Sequence, residues 1–227
     1  MLDWVDFGEP PNGWGSVGKR PLLILVGLTG VGKTTTVNAM KTAGMDFTLL
    51  PNRRAITDAL LIPAMQRING KTVKIVQDRT QRFTYTRQYR EYFPGGMAYA
   101  LAQMVIKQTV LSDTTVLLFD GLRGANEVTF AAQNLPQAQF LFLDAPDSVR
   151  LQRLSQRNDV FDHVQVGTIG SDDETAVAII NGERQNYDPQ ATLAALQKYA
   201  SQRLIYADTT KHTPVEIAQM VAFQWKS

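Results

Sequence analysis

The chain has 227 residues, 44% hydrophobic and 19% charged, with a net charge of +2; this is enough to build one sizeable core and too little charge to argue by itself for a nucleic-acid or anionic-membrane partner. It has no cysteine and only two histidines, His163 and His212, which excludes disulfides, thiolate metal sites, cysteine nucleophiles and a histidine-rich metal centre. No apolar run approaches the roughly twenty residues of a membrane span, and Met1-Leu2-Asp3-Trp4-Val5-Asp6 lacks the basic start and apolar core of a secretory signal, so a cytoplasmic protein with no membrane role is expected.

Residues 1–20 hold four glycines, two prolines and two tryptophans without periodicity. They read as an irregular arm, pinned to the body by Trp4, Val5, Phe7 and Trp14. Residues 21–227 read as one domain. Pro21-Leu22-Leu23-Ile24-Leu25-Val26 is a buried strand, and Gly27-Leu28-Thr29-Gly30-Val31-Gly32-Lys33-Thr34 follows it at once. That stretch fits the phosphate-binding pattern G-x-x-x-x-G-K-[ST] at every fixed position. Thr35 to Lys41 continue it as a helix, so the strand–turn–helix setting the motif needs is present.

The chemistry follows from residue type. Gly27, Gly30 and Gly32 let the backbone curl so that successive N–H groups, including those of Thr29, Val31 and Thr35, face phosphate oxygens. The new helix adds the positive end of its dipole. Lys33 reaches β- and γ-phosphates, and the Thr34 hydroxyl ligates Mg²⁺. ATP with Mg²⁺ is the expected ligand pair.

Phe47-Thr48-Leu49-Leu50 is a short strand. Asn52 to Ile68 is helical, interrupted near Pro63. Lys71 to Gln77 is a strand or hairpin arm. Gln81 to Phe93 is a helix, broken at Pro94-Gly95-Gly96, and Met97 to Leu111 resumes as an apolar helix. Arg53, Arg54, Arg67, Arg79, Arg82, Arg87 and Arg90, interleaved with Phe83, Tyr85 and Tyr89, form either a solvated basic face or a grip on an anionic substrate.

Thr115 to Phe119 is a second buried strand. It ends in Asp120-Gly121-Leu122-Arg123, at the carboxyl edge where open α/β sheets bind ligands. Asp120 can hold Mg²⁺ through water, and Arg123 can grip a second phosphate. Ala125 to Asn134 is a helix, and Gln139 to Leu143 a third buried strand. Asp144, before Ala145-Pro146, is a turn-former or a Mg²⁺ contact. Asp147 caps a helix to Arg157, whose Arg150, Arg153 and Arg157 share one face. Arg150 faces either solvent or phosphate. Residues 158–171 read as a loop, and Asp172 to Asn186 as a helix. Asp188-Pro189 starts another helix, Leu204 to Ala207 is the last strand, and Thr213-Pro214-Val215-Glu216 is a capping box opening the final helix. His163 and His212 read as surface residues, and Met40, Met97, Met104 and Met220 as core-fillers. Continuous apolar strands alternating with helices specify a mostly five-stranded parallel sheet covered on both faces, a three-layer α/β sandwich of the P-loop NTPase class.

At the P-loop, the Asp-Gly-x-Arg of residues 120–123, the Asp144-to-Arg157 run and Arg87-Gln88-Tyr89-Arg90-Glu91, the chain resembles the nucleoside monophosphate kinase group. It looks closest to its adenylate-kinase-like and dephospho-coenzyme-A-kinase-like members. The resemblance implies a helical acceptor segment over 44–111 and a lid over 158–187. It implies Arg123, with Arg87 and Arg90 of the similar segment, on the acceptor phosphate, and Arg53 of the basic stretch is a further substrate-binding candidate. Arg153 would pack over the adenine and the loop after Asp208 would lie at the adenine edge. Arg157 would neutralise the transferring phosphoryl group, with Lys33, Asp120 and Arg123 completing the catalytic set, and Arg184 would add a further clamp. The implied activity is Mg²⁺-dependent transfer of the ATP γ-phosphoryl group to a small phosphorylated acceptor such as a nucleotide. A nucleotide-dependent regulatory ATPase coupled to a protein partner and a polynucleotide-end kinase remain the alternatives, the latter disfavoured by the low net charge.

Overall fold

The computed structural model describes residues 3–109, 111, 115–156 and 172–226. In chain order these form β1 (Val5–Phe7), β2 (Trp14–Ser16), β3 (Leu22–Val26), α1 (Lys33–Thr42), β4 (Phe47–Leu49), α2 (Arg53–Ile56), α3 (Ile62–Ile68), α4 (Arg79–Tyr92), α5 (Gly96–Ala102) and β5 (Met104–Lys107). There follow β6 (Val116–Leu122), α6 (Ala125–Asn134), β7 (Ala138–Asp144), α7 (Asp147–Ser155), α8 (Asp172–Arg184), α9 (Pro189–Ala200), β8 (Leu204–Asp208) and α10 (Pro214–Lys226).

Five strands make an all-parallel sheet in the order β4-β6-β3-β7-β8. β3 is central, and its five residues are all buried because both faces are covered. Leu22, Ile24 and Val26 join Leu117, Phe119, Phe140 and Phe142 in a core closed by Met97 and Leu101 of α5, Val128 and Ala131 of α6, and Leu196 of α9. Leu23 and Leu25 face the other way, onto Val37 and Met40 of α1 and Ile217, Ala218 and Val221 of α10. The period-two alternation of one strand thus seeds two cores, and the three-layer sandwich stands as the strand pattern specifies. Among the described residues no helix is long and apolar enough to cross a membrane.

Four expectations are corrected, the last at the start of α7. Residues 1–20 are not irregular throughout: β1 and β2 pair antiparallel with β5 on its two sides. Consequently Met97 to Leu111 is not one helix. α5 ends at Ala102 and the chain re-emerges as the strand Met104-Val105-Ile106-Lys107, whose first three residues are buried. Two β-branched residues favour that strand once partners exist for both its edges. Third, Lys71 to Gln77 carries neither strand nor hairpin. It is held open by Gln66, whose side chain accepts from the Lys74 amide at 3.0 Å and donates to the Lys74 carbonyl at 3.0 Å.

The interruption near Pro63 is a five-residue π-turn over Thr57–Leu61, where the Ile62 amide bonds the Thr57 carbonyl. A proline in the next turn lacks an N–H and crowds the preceding carbonyls, and widening the helix relieves both. Asp147 opens α7 but does not cap it; Pro146 holds the cap position and no side chain caps the helix. The capping box holds: the Thr213 amide bonds Glu216 Oε2 at 2.7 Å and the Glu216 amide bonds Thr213 Oγ1 at 3.3 Å.

Candidate active site

The P-loop leaves the carboxyl end of the central strand, between β6 and β7, where the chain's excursions to the two sides diverge and leave a crevice. Its glycines are sterically required. Gly27 has φ +148°, and a Cβ there would meet the Leu143 carbonyl at 2.6 Å; Gly30, at φ +86°, lies against the Arg150 backbone. Lys33 Nζ turns back onto the loop, donating to the carbonyls of Gly27 and Leu28 at 3.0 Å each. It lies 3.8 Å from Asp120 Oδ1. Burial pulls the Lys33 ammonium down to about 8, while Asp120 pushes the other way.

Asp120 is placed by a break in the β3–β6 register between Leu25 and Val26, where Gly121 is the extra residue. The Gly121 carbonyl, turned out of the ladder, accepts from Arg53 Nη1 at 2.6 Å.

Two cavities meet here. One, of about 600 Å³, runs from Gly27, Lys33, Thr34 and Thr35 past Asp120 and Arg123 to Arg153, Thr209 and His212. The other, of about 780 Å³, lies between α4 and α8 and is lined by Thr80, Phe83, Arg87, Arg90, Ile179 and Asn186. Thr29 and Arg123 line both.

Arg153 bridges the P-loop to the turn after β8, donating to the Gly30 carbonyl at 3.3 Å and to Thr209 Oγ1 at 2.8 Å. Asp208 does not line the cleft. Its carboxylate accepts from the Thr210 hydroxyl at 2.6 Å and amide at 2.9 Å, which lowers its pKa. Val31 is buried in the core beneath the loop. Asp144 closes a turn on the Ala145 amide at 2.9 Å. His212 lines the cleft wall, and His163 and Arg157 lie outside the described residues, as do residues 158–171 of the expected lid.

The arginines divide. Arg53, expected on the acceptor, is bidentate to buried Glu127 at 2.9 and 2.8 Å and also donates to Tyr187 Oη at 3.0 Å, so it is an internal strut at the cavity wall. Arg90 donates to Tyr187 Oη at 3.3 Å and Asn186 Oδ1 at 3.2 Å. Arg87, two-thirds exposed, lies 3.8 Å from Glu91 one turn away. Arg184 pairs with Asp147. Arg150 faces neither solvent nor the P-loop cavity: it is 1% exposed and donates to the Thr29 carbonyl at 2.8 Å, Asp147 at 2.6 Å and Glu183.

Two acids organise the site without any sequence motif announcing them. Glu127 accepts from Arg53 and from the amides of Arg123 at 3.0 Å and Met97 at 3.3 Å. Burial alone would raise its pKa; the Arg53 guanidinium and the Arg123 and Met97 amides together more than offset this and hold it low. Glu183 reaches the P-loop itself. Its carboxylate accepts from the Thr29 amide at 3.1 Å, the Thr29 hydroxyl at 2.7 Å, Arg123 Nη1 at 2.9 Å, and Arg150. The only sequence signal for either acid is its place in an apolar-periodic helix.

For Mg²⁺, the donor chemistry fits. Thr34 and Asp120 are hard oxygen donors lining the same space, and among the described residues no group of three or more acidic or histidine side chains could hold a metal alone. Mg²⁺ bound by few protein oxygens takes its other ligands from phosphate and water.

No protein-family model matches the sequence, and no curated protein matches it. Among solved structures, the chain is similar to TT1252 from Thermus thermophilus, with TM-score 0.52 and 14% identity over 91% of this chain and 97% of that one. Weaker likenesses include a sugar kinase from Janibacter sp. (TM-score 0.41, 17% identity, 91% and 95% covered). A shikimate kinase from Acinetobacter baumannii, solved with shikimate, is another (0.41, 16%, 89% and 91%). The TT1252 likeness shows the fold; at these identities none of the three assigns an activity.

Proposed function

We propose that the chain is an ATP- and Mg²⁺-dependent phosphotransferase acting on a small anionic metabolite, with a phosphorylated acceptor such as a nucleotide as the specific reading. The observation that carries this is the pair of cavities that share Thr29 and Arg123. A triphosphate on the P-loop in the first cavity would end at that junction, facing whatever fills the second. Arg87 and Arg90 give the second cavity a cationic wall and Phe83 gives it an aromatic surface, which supports an acceptor with an anionic group and a flat or apolar body.

Phosphoryl transfer needs positioning and charge neutralisation more than a general base. The P-loop amides and Lys33 would hold the β- and γ-phosphates, Lys33 exchanging the Gly27 and Leu28 carbonyls for phosphate oxygens. Arg123 spans both cavities and would hold donor and acceptor in line. Arg153 would cover the base. Mg²⁺, with Thr34 and Asp120 as its protein donors, supplies neutralisation of the triphosphate.

The test is ADP formation from ATP and Mg²⁺ against a panel of nucleotides and phosphorylated metabolites. One acceptor should stimulate turnover, and Lys33→Ala should remove at least about a hundredfold of it, the scale of one lost charge-stabilising donor. Hydrolysis that no acceptor stimulates would defeat the reading.

A further inference from the structure

Glu183 sits where substrate phosphate is expected. Four donor groups from three parts of the chain converge on its carboxylate: the Thr29 amide and hydroxyl from the P-loop, Arg123 from beyond β6, and Arg150 from α7. The side chain is 6% exposed and lies at the junction of the two cavities. A set of converging N–H, O–H and guanidinium donors is an anion site by its chemistry, and two carboxylate oxygens span much the same distance as two phosphate oxygens.

We propose that Thr29 and Arg123, braced by the buried strut Arg150, form a phosphoryl-binding subsite that Glu183 fills in the ligand-free protein, and that the phosphate of the substrate displaces this carboxylate. The Thr29 donors cannot serve a carboxylate and a phosphate together, and two anions in a water-poor site repel. The more highly charged phosphate wins the exchange.

The surroundings suit release. Glu183 is in the last turn of α8, beside Gly182, where a helix frays most readily. A satellite cluster, Leu154, Ala176 and Ile180, packs α8 against α7. When Glu183 leaves, no buried charge is stranded: Arg150 keeps Asp147 and the Thr29 carbonyl, and Arg123 takes the incoming phosphate. The displaced carboxylate enters the acceptor cavity it already lines. Substrate binding is thereby coupled to the position of the helix that follows residues 157–171.

The proposal rests on the P-loop being a phosphate site, not on transfer to any acceptor. It is tested by calorimetric binding of Mg²⁺-ATP and of pyrophosphate to wild type and Glu183→Gln, and by melting of wild type and Glu183→Ala in sulfate against chloride at equal ionic strength. A resident competitor lowers apparent affinity by the fraction of open sites, so Glu183→Gln is expected to bind both ligands about tenfold more tightly. Glu183→Ala should melt below wild type and recover in sulfate by more than wild type gains. Equal or weaker binding by Glu183→Gln, or equal sulfate gains, would overturn it. Should the variants not fold, hydrogen exchange on wild type decides. Pyrophosphate should protect residues 27–34 and speed exchange in the last turn of α8; slower exchange there defeats the proposal. Anion behaviour as stated, with no transfer from ATP, would sink the kinase reading alone.

Discussion

Lys33 shows how one residue can be legible by motif and still be tuned by neighbours far along the chain. Its place in the P-loop is local information. Its acidity is not: burial draws it down to about 8 and Asp120, on another strand, draws it up. A triphosphate favours the charged ammonium, so affinity for metal-free ATP should be flat below about pH 8 and fall above it, by up to about tenfold per pH unit. Removing Asp120 removes the upward pull, so Asp120→Asn should move that break to lower pH. A pH series of ATP dissociation constants for both proteins checks the sign; a break that stays put or rises contradicts it. Arg150 makes the complementary point. Helical spacing puts it in line with Arg153 and Arg157, yet a buried strut and a phosphate ligand have the same periodicity. Only the positions of Thr29, Asp147 and Glu183 identify it as the strut.

Elements carry the site through two devices, a register break in β6 and a buried acid in α6. The break turns the Gly121 carbonyl toward Arg53, and Glu127 then fixes Arg53, the Arg123 amide and the start of α5 in one network. Breaking a buried ion pair by removing one partner strands the other charge. Glu127→Ala should therefore destabilise the fold by about 3–5 kcal/mol in denaturant titrations. A loss under about 1 kcal/mol, the range of surface pairs, would show that the pair is solvated. Because Glu127 titrates below the usual range, its contribution is full above its unfolded pKa. It is lost as pH falls through the depressed native value. α5 and β5 show where the pattern misled: residues 97–107 carry an apolar run compatible with either period, and partners sixty or more residues upstream decide it.

Across the whole molecule, the small sheet β1-β5-β2 ties the amino-terminal arm to the segment that follows α5. β1 and β2 flank β5, so removing residues 1–19 would bare both its edges and the buried Met104, Val105 and Ile106. Such a truncation should lower the melting temperature and promote aggregation visible by light scattering. An unchanged melt and a monomeric profile would show that the arm is dispensable. The parallel sheet, by contrast, was legible almost strand by strand, because doubly covered strands are continuously apolar and their helices announce themselves by caps and period.

From the sequence alone came the P-loop, its glycines and lysine, the five strands of the parallel sheet, and Asp120 and Arg123 at the sheet edge. All of these are written in runs of fewer than ten residues, where local sterics and periodicity decide the outcome. Which arginines line a cavity and which brace the frame, the second small sheet, and the carboxylate of Glu183 resting against Thr29 were decided by tertiary structure. A guanidinium or carboxylate has no intrinsic preference between partners; which one it finds depends on charges brought together from opposite ends of the chain.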